Sequence, residues 1–196
     1  DAGQEMRGGQ WQALRLTEGM LAAGHDPVLL APRNGPLYGK AASRGVPVRP
    51  LTLRGLRSLA KSADLVHAHD ARAHTAAAIA SRAPVIVARR VAFPLRRGVL
   101  SRWKYARARH FIAVSQHVRA RLLADGIEPA KVSVVYDGVP VPDAAVSSGD
   151  AIVAPATSDP RKGTALLREA AVRAGLDVRF SEMLEEDLKR ALFFVY

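Results

Sequence analysis

Short apolar runs rich in β-forming residues alternate with helical runs along this chain, and that alternation limits the fold more than any other feature. A strand, a helix and a second strand in succession favour a parallel sheet with helices on both faces. The predicted strands are 27–31, 46–49, 64–68, 85–88, 110–114, 132–135, 151–154, 176–180 and 192–196. The first predicted helix follows Gly8-Gly9 and ends at Gly24, and the others cover 37–44, 56–62, 72–81, 99–108, 116–124, 162–174 and 182–191.

The composition changes to Gly, Pro, Ser and Ala between residues 137 and 150, which is typical of a linker. We therefore predict a first domain over residues 1–140, a linker over 141–150 and a second domain over 151–196. The second domain is too short to close a doubly wound sheet. The first is expected to lack its first strand, because only residues 1–6 precede the glycines. The sequence thus predicts part of a longer protein.

Composition and charge narrow the class of protein. Hydrophobic residues make up 48% of the 196 residues, enough for a packed core, and the absence of cysteine excludes disulfides and thiolate sites. The sequence shows neither an apolar run long enough to span a bilayer nor a signal peptide. The net charge of +11 favours anionic partners, namely nucleic acid, an anionic membrane or phosphorylated substrates.

The Gly8-Gly9 pair stands before a long amphipathic helix. Two glycines let the backbone bend tightly and leave no Cβ in the way of a ligand, while the first turn of a helix favours phosphate. An ordinary turn is the alternative interpretation.

Polar residues follow the predicted strands, where doubly wound sheets bind their ligands. His67 is interpreted as a buried, satisfied histidine. His69 with the adjacent Asp70 can orient or deprotonate a hydroxyl group. The guanidinium groups of Arg89 and Arg90 suit phosphate or carboxylate, with a solvated loop as the alternative. Ser115, Asp137 and Gly138 also stand at strand ends, and no third metal ligand accompanies the two histidines.

Residues 96–109 combine arginine and lysine with leucine, tryptophan and tyrosine. That composition suits the surface of an anionic membrane, and a solvated basic face is the alternative. Lys162, at the start of a predicted helix, opposes the helix dipole, and a bound phosphate would resolve that conflict.

Several motifs form a set. They are Arg7-Gly8-Gly9 before a helix that ends in Leu-Ala-Ala-Gly-His (21–25), Asp-Leu-Val-His-Ala-His (64–69), Phe-Ile-Ala-Val-Ser (111–115), Val-Val-Tyr-Asp-Gly-Val (134–139) and Lys162-Gly163. Over nearly the whole chain this set resembles the nucleotide-sugar glycosyltransferases of family four, also called group 1. The resemblance implies the GT-B fold, which consists of two Rossmann-like domains with doubly wound parallel sheets.

The resemblance also implies an activity: transfer of a sugar from a UDP- or GDP-sugar to a hydroxyl group of a glycan or glycolipid, with retention of configuration and without a metal or further cofactor. It implies a role in envelope polysaccharide or lipopolysaccharide synthesis, in the cytoplasm or on the inner face of the membrane. Taken with the residues themselves, this predicts His69 and Asp70 as catalytic residues. The predicted substrate-binding residues are Arg7, Gly8, Gly9, Gln10, Arg89 and Arg90, and the predicted donor-phosphate residues are Lys162 and Gly163.

The chain departs from the family pattern at three places. The arginine that usually precedes Lys-Gly is missing from residues 156–160, Arg89-Arg90 stands where a histidine is frequent, and the acidic donor-binding motif is absent. A nucleotide-sugar epimerase of the same architecture is the enzymatic alternative. A basic nucleic-acid-binding module is the other alternative, but aromatic residues are only 6% and no stacking or zinc-finger motif occurs, so nucleic acid is not an expected partner.

Overall fold

The structure, a computed structural model, describes residues 1–95, 98–138, 151–156, 163–181 and 191–194. The chain divides into two compact units, Asp1–Val139 and Pro140–Tyr196. The predicted linker 141–150, Lys162 and nearly all of the predicted helix 182–191 lie outside the described residues.

The first unit alternates helices and strands as the sequence predicts. Its helices are α1 (Gly8–Ala22), α2 (Pro36–Ser43), α3 (Leu53–Leu59), α4 (Ala71–Ala80), α5 (Val99–Ala106) and α6 (Gln116–Ala124), followed by a 3-10 turn, Pro129–Lys131. Its strands are β1 (Leu29–Ala31), β2 (Val48–Pro50), β3 (Val66–Ala68), β4 (Val85–Arg89), β5 (Ala108–Ala113) and β6 (Val132–Val134).

These strands form two parallel sheets, β1-β2 and β3-β4-β5-β6. In the larger sheet Ala68 pairs with Val87, Arg89 with Ala113, and Ala113 with Val134. This register brings the carboxyl ends of β3, β4 and β6 to one edge. The α/β class with parallel sheets is therefore confirmed, while the expected strand before Asp1 stays a prediction.

The start of the chain lies between the two sheets. The terminal ammonium of Asp1 donates to the Leu30 carbonyl oxygen at 2.9 Å, and the Ala2 N–H donates to the Asp70 carboxylate. Burial lowers the pKa of that ammonium, and the negative charge of Asp70 opposes the shift.

Two apolar clusters hold the first unit together. The larger one lies between α4, α6 and the four-stranded sheet and contains Phe111 and Leu122, while the smaller one joins α1 and α2 to β1 through Leu14, Leu29 and Leu37. Helix α4 presents buried alanines at 73, 77, 78 and 80, and small side chains let a helix approach a sheet closely.

Some predicted boundaries are wrong. Helix α3 covers 53–59 rather than 56–62, because the Thr52 hydroxyl caps its start and accepts from the Gly55 N–H at 3.0 Å. Strand β2 covers 48–50 rather than 46–49, since Val46 instead bonds back to Ala41 at the end of α2.

The second unit also has a parallel sheet. Its described elements are β7 (Ala151–Pro155), α7 (Thr164–Ala174), β8 (Val178–Ser181) and β9 (Ala191–Phe194), with strand order β8-β7-β9. Across the described parts of both units, no helix combines the length and apolar character needed to cross a bilayer.

Candidate functional site

Arg90 lies at the centre of the candidate site, just after β4. Its Nη1 lies 3.4 Å from His69 Nδ1, and its Nε lies 3.4 Å from Asp137 Oδ2. A Cβ built on Gly9 would lie 3.8 Å from Arg90 Cδ. We call Gly9, His69, Arg90 and Asp137 the Arg90 cluster. It joins the start of α1 to the segments that follow β3, β4 and β6.

His69 is held as a neutral imidazole. Burial pushes its pKa well below the ordinary value, with further lowering from His67, the terminal ammonium and Arg90. Its ring lies against that of His67, with centroids 4.2 Å apart and the two planes tilted by 35°. In a neutral imidazole one ring nitrogen donates a hydrogen bond and the other accepts one, so each nitrogen of His69 has a single role toward a ligand.

His67 differs from its prediction as a satisfied buried histidine. Its Nε2 atom is buried and has no hydrogen-bond partner among the described residues. Burial, with Arg90 as the next cause, lowers its pKa to about 4. The neutral form avoids placing a charge in the interior beside an arginine, which lowers the cost of leaving a ring nitrogen without a partner.

Asp70 caps helix α4. Its Oδ1 accepts from the N–H groups of Arg72 at 2.8 Å and Ala73 at 2.9 Å, and its Oδ2 accepts from Ala2. This carboxylate is not directed at His69, because it caps the helix N-terminus, and Arg90 occupies His69 Nδ1. The assignment of both residues to catalysis stays a prediction.

Gly8 and Gly9 are the first two residues of α1 rather than a bend before it. Neither has a positive φ, so neither adopts the left-handed conformation that only glycine takes readily. A Cβ on Gly8 would meet nothing within 4 Å, and one on Gly9 only Arg90. Among the described residues neither N–H has an acceptor, whereas those of Gln10 and Trp11 donate to the Arg7 carbonyl oxygen. The start of α1 therefore offers two free donors behind an open surface.

Two predicted substrate-binding residues bind other parts of the first unit. Gln10 Oε1 accepts from the Arg7 N–H at 3.2 Å, and its Nε2 donates to the Asp1 carboxylate at 3.0 Å. The exposed Arg7 guanidinium pairs with Glu5 at 2.6 Å. Gln10 thus fixes the helix start to the N-terminus of the chain.

Arg89 and Arg90 diverge although they are neighbours. Arg89 Nη2 donates to the Phe93 carbonyl oxygen at 2.6 Å, so only Arg90 enters the cluster.

The sequence placed Asp137 and Gly138 at a strand end without a role. In the structure Asp137 pairs with Arg90, and Gln12 Nε2 donates to the Gly138 carbonyl oxygen at 2.6 Å. The Asp-Gly after β6 was the available signal for this contact.

In the second unit, Gly163 directly precedes α7 with φ 67°, a left-handed conformation that favours glycine. Its predicted neighbour Lys162 lies outside the described residues. Among the described residues no three side chains of metal-binding type come together.

Helix α5 presents an exposed apolar and basic face. None of its residues is buried, and Val99 and Leu100 are 84% and 83% exposed beside the exposed Trp103 and Arg102. Lys104 is not part of this face, because its Nζ donates to the Ala71 carbonyl oxygen at 3.0 Å and to the Thr75 hydroxyl at 3.1 Å. Arg107 donates to the Ser81 carbonyl oxygen at 3.2 Å, and Arg96 and Arg97 lie outside the described residues. We call Val99, Leu100, Arg102 and Trp103 the α5 face.

Comparison with known proteins identifies one family. A family model described as Glycosyltransferase Family 4 matches residues 6–141, a stretch that contains the whole Arg90 cluster. No curated protein matches the chain by sequence.

Solved structures with low sequence identity share the fold. Anabaena HepE in complex with UDP and glucose has a TM-score of 0.72 at 14% identity, covering 96% of this chain and 62% of HepE. The apo lipopolysaccharide outer core galactosyltransferase WaaB has a TM-score of 0.64 at 13% identity, covering 99% and 71%. A Listeria monocytogenes structure described as a putative UDP-N-acetylglucosamine 2-epimerase has a TM-score of 0.53 at 15% identity, covering 95% and 63%. The chain thus has the fold of GT-B proteins and spans 62% of the HepE chain crystallised with UDP and glucose.

Proposed function

Because this chain belongs to Glycosyltransferase Family 4, we propose that it acts in the transfer of a sugar from a nucleotide diphosphate donor to a hydroxyl group of an acceptor. The observation that carries the proposal is the open start of α1 beside Arg90. Two free N–H groups, two glycines without Cβ atoms and a guanidinium meet there, within the matched stretch. Such a surface suits an oxygen-rich, anionic ligand.

The proposed donor is a UDP- or GDP-sugar, handled with retention of configuration and without a metal. HepE, which shares the fold, has been crystallised with UDP and with UDP-glucose, and this supports a nucleotide sugar as ligand. Lys162 and Gly163 of the second unit are the proposed contacts of the donor phosphates. A cation and a helix N-terminus stabilise the negative charge that develops on the leaving diphosphate.

In the first unit, Gly8, Gly9 and Arg90 are the proposed substrate contacts with the strongest support from geometry. Arg7, Gln10 and Arg89 remain in the proposed substrate-binding set, although each binds another part of the unit in this conformation. His69 is the proposed reactive-site histidine. Asp70 caps the adjacent helix α4, which favours a structural role for its carboxylate over contact with the substrate.

The proposed acceptor is a glycan or glycolipid of the cell envelope, reached at the inner face of the membrane. The α5 face supports this part of the proposal, because exposed Val99, Leu100 and Trp103 beside Arg102 fit an anionic lipid surface. The fold shared with WaaB, a lipopolysaccharide outer core galactosyltransferase, supports lipopolysaccharide as a class of acceptor.

An assay with labelled UDP- and GDP-sugars and envelope glycolipid extract tests the activity. We expect release of the nucleoside diphosphate together with a labelled glycolipid. A nucleotide sugar whose configuration changes while the diphosphate stays attached would instead establish the epimerase alternative, which the structural likeness at a TM-score of 0.53 supports less well.

Vesicle flotation tests the membrane part separately. Leu100→Asp is expected to reduce binding to vesicles containing anionic lipids by about tenfold, since it replaces an apolar contact by a like charge. Leu166→Asp is the matched control, because Leu166 is also exposed, at 71%, but lies on α7. Equal binding of both variants would identify α5 as an ordinary solvated face.

A further inference from the structure

The contact between Arg90 and His69 determines which nitrogen of His69 carries the proton. A guanidinium has only donors, so the Nδ1 atom that faces Arg90 Nη1 at 3.4 Å must present its lone pair. In a neutral imidazole the proton then lies on Nε2. The hydrogen bond that the described residues give His69 uses Nδ1, which leaves the Nε2–H available to a ligand.

We propose that Arg90 is a positioning residue that fixes His69 as the Nε2–H tautomer, so that His69 donates a hydrogen bond to a substrate oxygen instead of removing a proton from it. The inference rests on the proposed function for the identity of the substrate, an oxygen-rich sugar or phosphate. The tautomer itself is a property of the free protein and can be tested without any activity.

The position of Arg90 is itself fixed by a second partner. Asp137 accepts from Arg90 Nε at 3.4 Å, while Nη1 is directed at His69, so two different edges of one planar group are used. The Arg90 side chain is only 19% exposed, which limits its alternatives. A lysine cannot replace this geometry, because its ammonium lacks the fixed fork of a guanidinium.

The charges around His69 also favour its neutral form. Positive charge faces it from Arg90, and the ring of His67 lies tilted against its own ring, with centroids 4.2 Å apart. The nearby carboxylates are engaged elsewhere, Asp70 with the start of α4 and Asp137 with Arg90. Protonation of His69 would break the Arg90 hydrogen bond and place a second positive charge beside the guanidinium, which favours the neutral ring.

Long-range ¹H–¹⁵N correlation spectra of histidine-labelled protein test the tautomer directly, with His69→Gln used to assign the His69 signals. We expect the wild-type signals of an Nε2–H imidazole, unchanged from pH 8 to pH 5.5. Arg90→Met should give a mixture of tautomers and an upward shift of the titration midpoint. The matched control is Arg89→Met, which removes the neighbouring guanidinium that bonds Phe93, and the His69 signals should stay as in the wild type.

Two results would overturn the proposal: an Nδ1–H tautomer in the wild type, or equal His69 spectra for the wild type and Arg90→Met. Folding of the variant is checked by the dispersed signals of the other histidines in the same spectra. Neither result depends on sugar transfer, so failure of this inference is distinct from failure of the proposed function.

If transfer is measured, substitution of His69 separates the two chemical roles. Glutamine keeps an N–H donor near the Nε2 position but cannot act as a base, whereas leucine keeps neither property. We expect His69→Gln to retain kcat within about tenfold and His69→Leu to lose at least about 100-fold, as for loss of a preorganised donor. Equal losses in the two variants, together with an acidic limb in the pH profile that vanishes in both, would mean that His69 removes a proton.

Discussion

Helices α1 and α4 lie in the same unit, but the N–H groups of their first turns differ in whether they have hydrogen-bond acceptors. At α4 the Asp70 carboxylate accepts from two N–H groups of the first turn, so the positive end of the helix is already neutralised by its own chain. At α1 the N–H groups of Gly8 and Gly9 have no acceptor among the described residues, and the surface in front of them is open. A capped helix start has its N–H groups satisfied within the protein and has a structural role. An uncapped start that carries glycines leaves N–H groups accessible to a ligand.

Gly9→Val tests the open start and has the largest expected effect. The valine side chain would stand beside Arg90 where the substrate is proposed to bind, so we expect sugar transfer to fall by at least about 100-fold. Stability should not fall, because φ is not positive there and the added Cβ makes only a 3.8 Å contact. Turnover and thermal unfolding of the same preparation check both parts.

The matched control for this change is Gly19→Val. Gly19 lies in the same helix, α1, and a Cβ there meets nothing within 4 Å. It should keep the parent rate. If Gly9→Val and Gly19→Val transfer sugar equally well, the start of α1 is only a helix end and the contrast with α4 has no functional meaning.

Asp70→Ala tests the capped start. Loss of an N-cap acceptor costs on the order of 1–2 kcal/mol, and here the Ala2 N–H loses its partner as well. We therefore expect the free energy of unfolding to drop by about 2 kcal/mol, measured by urea denaturation. Asp70→Asn keeps an oxygen acceptor and should recover most of that loss. A stable Asp70→Ala protein that transfers no sugar would instead assign the carboxylate to chemistry.

The expected pH dependence is smaller and concerns the body of α4. His74 is 1% exposed, and burial, with Lys104 as the next cause, lowers its pKa from 6.5 to about 4. The unfolded chain therefore binds a proton first as the pH falls. The stabilising contribution is complete above about pH 6.5 and is lost as the pH falls towards 4, by about 1 kcal/mol between pH 7 and 5.5.

Urea denaturation at several pH values measures this loss, and the slope of stability against pH should be shallower in His74→Gln. That variant keeps an amide donor for the Lys104 carbonyl oxygen, which lies 3.1 Å from His74 Nε2, but has no titrating group. An identical slope in the two proteins would show that His74 is not the group responsible.

Strand and helix order could be predicted from the sequence because it depends on local apolar periodicity, and each described strand lies on or beside a predicted one. Boundaries depend on single hydrogen bonds, such as the Thr52 cap, which periodicity does not detect. The glycines were predicted to form a bend, yet the helix already begins at Gly8. The prediction failed because the residues of an uncapped first turn do not mark a helix start in the sequence.

The candidate site was predictable only as an edge of the sheet. Parallel strands gather their ends, so His69, Arg90 and Asp137 were expected near one another. Which of the two arginines turns inward was not predictable. That choice depends on Asp137, 47 positions further along the chain, and on the competing Phe93 carbonyl oxygen. Long-range choices between equivalent side chains are decided by packing, which a single sequence does not encode locally.

The bonds between α5 and α4 have a mechanical consequence. Lys104 reaches from α5 to the first residue of α4, Ala71, while the Lys104 carbonyl oxygen lies within hydrogen-bond distance of the His74 ring. Hydrogen bonds thus join the two helices at the turn that follows Asp70, so that α4 and α5 are expected to move together. A displacement of α5 would therefore be passed to the start of α4, where Asp70 accepts from the N–H groups of Arg72 and Ala73.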